Sequence, residues 1–126
     1  MAGKRNLGMG LDLLLTVGEG KKAQSHETSV LRSAIASMAQ AIDEDEKGNI
    51  FEAYHFYRRV IDYLKESGLS NPPELCGLVS QALNNAAVIL CENGKLESAQ
   101  DYLTQALKLY PDNQVARENL QALREC

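Results

Sequence analysis

Few side chains in this sequence could do chemistry, and their spacing matches no catalytic pattern. His26 and His55 stand far apart, with no Ser, Cys or carboxylate at a motif spacing around either. Neither G-x-S-x-G nor H-E-x-x-H occurs. Cys76, Cys91 and Cys126 fit no zinc or redox spacing, and an odd count does not suit a disulfide framework. Gly20-Lys21 lacks both the upstream glycine and the following Ser or Thr of a phosphate loop. No enzyme activity, metal or cofactor is therefore expected. What remains is amide chemistry: Asn84 and Asn85 are adjacent, and Asn119 lies 34 residues beyond Asn85. Each carries both hydrogen-bond donors and an acceptor.

Hydrophobic spacing supplies the elements that would position these amides. Leu31, Ala34, Ile35, Met38, Ala41 and Ile42 recur at helical intervals, which predicts a first helix from about 25–27 to 45. Asp43-Glu44-Asp45-Glu46 is expected as its solvated end; a binding role for this run would need a basic partner. After Lys47-Gly48-Asn49, a second helix over 50–66 buries Ala53, Phe56, Tyr57, Val60, Ile61 and Leu64, and Gly68 stops it. Tyr54, Tyr57 and Tyr63 are expected at its rim with their hydroxyls in water. Asn71-Pro72-Pro73-Glu74 reads as a helix start, with a cap, prolines in the first turn and an acid that favours the dipole. The third helix, 73–92, carries Leu75, Leu78, Val79, Ala82, Leu83, Ala86, Ala87 and Leu90 as one stripe. Asn93-Gly94 then turns the chain into a fourth helix over 96–109, which Pro111 ends. A last helix, 112–124, places Ala116, Leu120 and Leu123 on one face.

From Ser80 to Asn113 the spacing is more specific. Leu83-x-x-Ala86-Ala87-x-x-Leu90, Ala99-x-x-x-Leu103 and Pro111 follow the skeleton of a tetratricopeptide repeat, which this window resembles over its full length. The longer third helix resembles the extended repeats of kinesin light chains. The first hairpin admits two readings. Ala41 through Gly48-Asn49 to Glu52-Ala53 and Tyr57 also resembles the opening hairpin of microtubule-interacting-and-trafficking domains. Read instead as a tetratricopeptide hairpin, it would set Gln40 and Glu44 at packing positions, a cost if they are buried. The expected fold is all-α: about five antiparallel helices in a right-handed superhelix. It would comprise hairpins at 27–67 and 73–110 and a C-terminal capping helix at 112–124, preceded by a flexible tail at 1–25.

The tetratricopeptide resemblance implies a concave groove lined by the first helices of successive hairpins. In that family an Asn on this surface commonly holds the backbone of a bound peptide. Gln81, Asn84, Asn85, Val88 and Asn119 would then face the ligand, and Met38 and Ile42 would extend the same surface. The competing reading is that Asn85 only bonds between helices. The basic clamp with which some members read a carboxylate terminus is missing, because its positions hold Met38, Ile42, Val115 and Asn119.

Apolar and charged contents of 44% and 24% are those of an ordinary globular chain. A net charge of −4 with few aromatic residues argues against a nucleic-acid partner. No apolar run approaches the ~20 residues of a membrane-spanning helix, and Leu11–Val17, interrupted by Asp12, does not read as a signal peptide. Reduced cysteines in the cytoplasm are expected. The partner is expected to be another protein that offers an extended peptide or a helix. Two hairpins are few for a repeat array. A second reading is therefore self-association through an end helix or Leu11–Val17 into a homo-oligomer. A third, from the trafficking-domain resemblance, is binding of filament-protein tail helices between the second and third helices.

Overall fold

The computed structural model describes residues 3–6, 26–66 and 73–125. Five helices follow one another: α1 (His26–Lys47), α2 (Ile50–Glu66), α3 (Pro73–Glu92), α4 (Leu96–Leu109) and α5 (Gln114–Arg124). No strand occurs among the described residues. The expected bounds of α2, α3 and α4 match, whereas α5 starts later than periodicity implied. The reason is local: Asn113 caps it, its Oδ1 accepting from the Ala116 N–H at 3.1 Å. The expected stop at Gly68, cap at Asn71 and sticky segment Leu11–Val17 lie outside the described residues.

Two glycine turns make the hairpins. Gly48 and Gly94 have φ of 86° and 78°, a region that strains any residue with a Cβ. Just beyond each, the chain returns an N–H to the helix it has left, Asn49 to Glu44 O at 2.9 Å and Lys95 to Leu90 O at 2.8 Å. These bonds satisfy carbonyls that a helix end leaves open.

α3 is the element around which the others assemble, packing on α1, α2, α4 and α5. Leu75, Leu78, Val79, Ala82, Leu83, Ala86 and Ala87 are all buried along it. Contrary to expectation, α3 is long and apolar enough by composition to cross a bilayer, but 78% of that stretch is covered inside the protein. Ala87, Ala99 and Ala106 are fully buried, and such small residues let helices approach closely. α1 pairs with α2 and α3 with α4, the hairpins stack through α2 and α1 on α3, and α5 closes on α4. These are stacked antiparallel hairpins of the tetratricopeptide type, with α5 following on them.

Hairpin 1 corrects two expectations. Tyr57 is fully buried, as its place on the apolar face implied, but its hydroxyl is not in water at the rim: it donates to Asp45 Oδ2 at 2.7 Å. Asp45 is in turn drawn out of the acidic run expected to be solvated, leaving its side chain 8% exposed. The burial that a tetratricopeptide packing threatened does not arise, since Gln40 is exposed and Glu44 half-buried.

Candidate peptide-binding groove

α3 carries Gln81, Asn84 and Asn85 on successive turns, and α5 brings Asn119 to them. All four are buried. Asn119 Nδ2 donates to Asn84 Oδ1 at 2.7 Å, and Asn84 Nδ2 donates to Asn85 Oδ1 at 3.2 Å. The bond from Asn119 to Asn84 joins helices, whereas Asn85 accepts from Asn84 within its own helix. The remaining capacity of the cluster goes elsewhere.

Residues 3–6, part of the expected flexible tail, lie against this cluster. The Lys4 N–H donates to Asn119 Oδ1 at 2.9 Å. The Lys4 carbonyl accepts from Asn84 Nδ2 at 2.8 Å and from Asn119 Nδ2 at 2.9 Å. Two residues further, the Asn6 N–H donates to Asn85 Oδ1 at 2.6 Å. Asn119 thus engages both polar groups of one main-chain residue, as a neighbouring strand would. The Asn6 side chain is held too: its Oδ1 accepts from Asn113 Nδ2 at 3.3 Å. Asn113 also donates to Ser80 Oγ at 2.9 Å, and Ser80 donates to the Ala106 carbonyl at 2.8 Å. The rest of the expected tail, residues 7–25, lies outside the described residues.

Charge fixes the same segment. Arg5 forks onto Asp45, Nε to Oδ2 at 2.7 Å and a terminal nitrogen to Oδ1 at 3.1 Å, with Glu92 Oε1 at 3.5 Å. The pair is largely shielded, its side chains 15% and 8% exposed, and such a fork adds direction as well as attraction. Burial alone would lower the Arg5 pKa, but the bond to Asp45 and the charges of Asp45 and Glu92 outweigh it and raise it. The Tyr57 phenol is pushed well above its ordinary range, first by burial and then by its bond to Asp45. At the rim, Lys4 Nζ meets Glu118 at 3.1 Å in the open. Gln114 first, then Lys4, hold that carboxyl below its usual range.

Of the residues singled out from sequence, Asn84, Asn85 and Asn119 come together on one chain segment. Gln81 is beside them but makes no such contact; its Oε1 and Asn85 Nδ2 are buried without a hydrogen-bond partner among the described residues. Met38, Ile42 and Val88 are buried, the first two in the hydrophobic core. Sequence reasoning missed Asp45, Glu92, Tyr57, Ser80, Asn113 and Glu118. One signal pointed to part of this set: the basic pair Lys4-Arg5 and the acidic run 43–46 have opposite charge.

A second concavity of about 820 Å³ lies where α2, the end of α3 and the start of α4 meet. Ile50, Phe51, Tyr54, Ile89, Leu90 and Tyr102 supply its apolar walls, with Phe51 86% exposed. Here the Tyr102 phenol is pushed up to about 12, by burial and then by Tyr54.

The tetratricopeptide repeat family model matches residues 80–113, which are most of α3, the Gly94 turn, α4 and the loop to Asn113. The chain is thus a tetratricopeptide-repeat-containing protein, and repeats of that family serve generally as protein-interaction modules. No curated protein and no solved structure matches the chain.

Proposed function

We propose that this chain is a non-enzymatic adaptor that binds an extended segment of a partner protein in the groove formed by α3 and α5. The observation that carries the reading is how Asn84, Asn85 and Asn119 bond the main chain at Lys4 and Asn6. Contacts to main-chain N–H and C=O groups are available from any extended peptide, so the same amides serve a partner. A cytoplasmic setting, where cysteine thiols stay reduced, belongs with this reading. The test is affinity capture with the unaltered chain beside its Asn85→Ala and Asn119→Ala variants, each checked for unchanged helicity. Partners that the unaltered chain retains and both variants lose support the groove; partners retained equally by all three rule it out.

The cleft beside α2 favours a second reading, in which an amphipathic tail helix lays its apolar face against Phe51, Tyr54 and Tyr102. Phe51→Asp would abolish such binding and leave groove binding untouched. Retention of all partners by that variant removes this reading.

A further inference from the structure

Residues 3–6 are held by more than their main chain, and each position is read differently. A Cβ on Gly3 would stand 2.8 Å from Asn119 Cγ and Oδ1. Asn119 could not yield without giving up its bonds to Lys4 and Asn84, so this position takes glycine. Among the described residues the Lys4 side chain reaches only the exposed Glu118, which leaves its position tolerant. Arg5 fills the fork of Asp45 with Glu92 alongside, a geometry that the single ammonium of lysine does not reproduce. Asn6 is buried, its side chain held by Asn113. Charge is complementary throughout, with Asp45, Glu92 and Glu118 facing Lys4 and Arg5.

We infer that the groove is selective for an extended Gly-x-Arg-Asn segment of a partner protein, and that residues 3–6 are a tethered competitor for that segment. The inference rests on the groove reading above and adds the side chains that the groove accepts. A competitor on the same chain acts at an effective concentration that dilution does not reduce. The partner therefore meets an occupied groove and gains full affinity only when residues 3–6 leave.

The test uses the full chain and a fluorescent peptide with the sequence of residues 1–8, read by anisotropy. Gly3→Val in the full chain evicts residues 3–6 by its clash with Asn119 and alters no groove residue. Arg5→Glu evicts them by charge. Both variants are expected to bind the peptide at least about tenfold more tightly than the unaltered chain does. Against the Gly3→Val chain, peptides carrying Gly3→Ala or Arg5→Lys are expected to bind about tenfold or more weakly than the parent. A Lys4→Ala peptide should stay within about twofold of it. Adding Asp45→Asn to the Gly3→Val chain is expected to weaken the parent peptide and leave the Arg5→Lys peptide unmoved.

Equal binding of all peptides, or no binding by either evicted chain with its helicity intact, overturns the inference. If either substitution lowers helicity, the same peptide ranking read on the unaltered chain at high peptide concentration decides it. Asn85→Ala in the evicted chain separates the two levels. When peptide binding is indiscriminate but lost with Asn85→Ala, the groove stands and the selectivity falls; when Asn85→Ala changes nothing, the groove itself falls. A dimer in sedimentation that Gly3→Val converts to monomer assigns residues 3–6 to a second copy and also overturns the inference.

Discussion

In the groove, α3 and α5 present buried amides whose bonds are directional and largely used, whereas the cleft beside α2 presents Phe51, Tyr54 and Tyr102 as apolar wall. Glu92 borders both: it approaches Arg5 in the groove and lines the cleft. The two regions share helices and differ in what a ligand must offer. An amide cluster rewards correctly placed N–H and C=O groups, and it penalises any loss that leaves a buried partner unpaired. An apolar wall rewards area alone and tolerates change. Selectivity should therefore reside in the groove.

The difference can be tested from its common base outward. Leu83→Ala, in the core of α3, is expected to cost about 2–5 kcal/mol in urea unfolding. Amide exchange should rise around both regions together; a loss confined to one would show that they are separate folding units. Asn119→Ala is expected to cost about 1–3 kcal/mol, since the Lys4 N–H and Asn84 Oδ1 lose their partner. It should also speed hydrogen exchange at the Lys4 and Asn6 amides. Phe51→Ala in the cleft should stay within about 0.5 kcal/mol. Comparable costs at the two sites would erase the contrast.

The tyrosines sharpen it. Tyr57→Phe removes the bond to Asp45 and is expected to cost about 0.5–1.5 kcal/mol. It should also loosen Arg5, visible as faster exchange at the neighbouring Asn6 amide. Tyr54→Phe, in the cleft, should leave that amide unchanged.

The smallest effects are in pH, and they run in opposite directions. The Tyr102 phenol titrates near 12 in the folded chain against an ordinary 10.0. Its contribution is whole below pH 10.0 and is lost as pH rises through about 12, which phenolate absorbance can follow. Glu118 is shifted down from 4.5, so its contribution is present above that value and is lost as pH falls through its lower folded pKa. Acid should therefore loosen Lys4 at the groove rim before it disturbs the cleft. The opposite order in amide exchange would contradict these assignments.

Much of the frame was legible locally. Helical bounds followed from apolar stripes a few residues apart, and the hairpin turns from Gly48 and Gly94, whose φ only glycine takes without strain. Asn84, Asn85 and Asn119 were legible as a group because a repeat returns equivalent positions to one face after 34 residues. The Tyr57 hydroxyl and the Asp45 carboxylate were misjudged for a shared reason. Each looks suited to solvent alone, and only together, with Arg5, do they satisfy one another away from water.

The sequence by itself determined the helices and their turns, because periodicity, capping and glycine conformation act over a few residues and need no distant partner. Only the tertiary structure decided what the amide cluster holds. Arg5 meets Asp45 across 40 residues of chain and Glu92 across 87. No local pattern encodes those meetings, which exist only once hairpin 1, hairpin 2 and α5 have closed around residues 3–6.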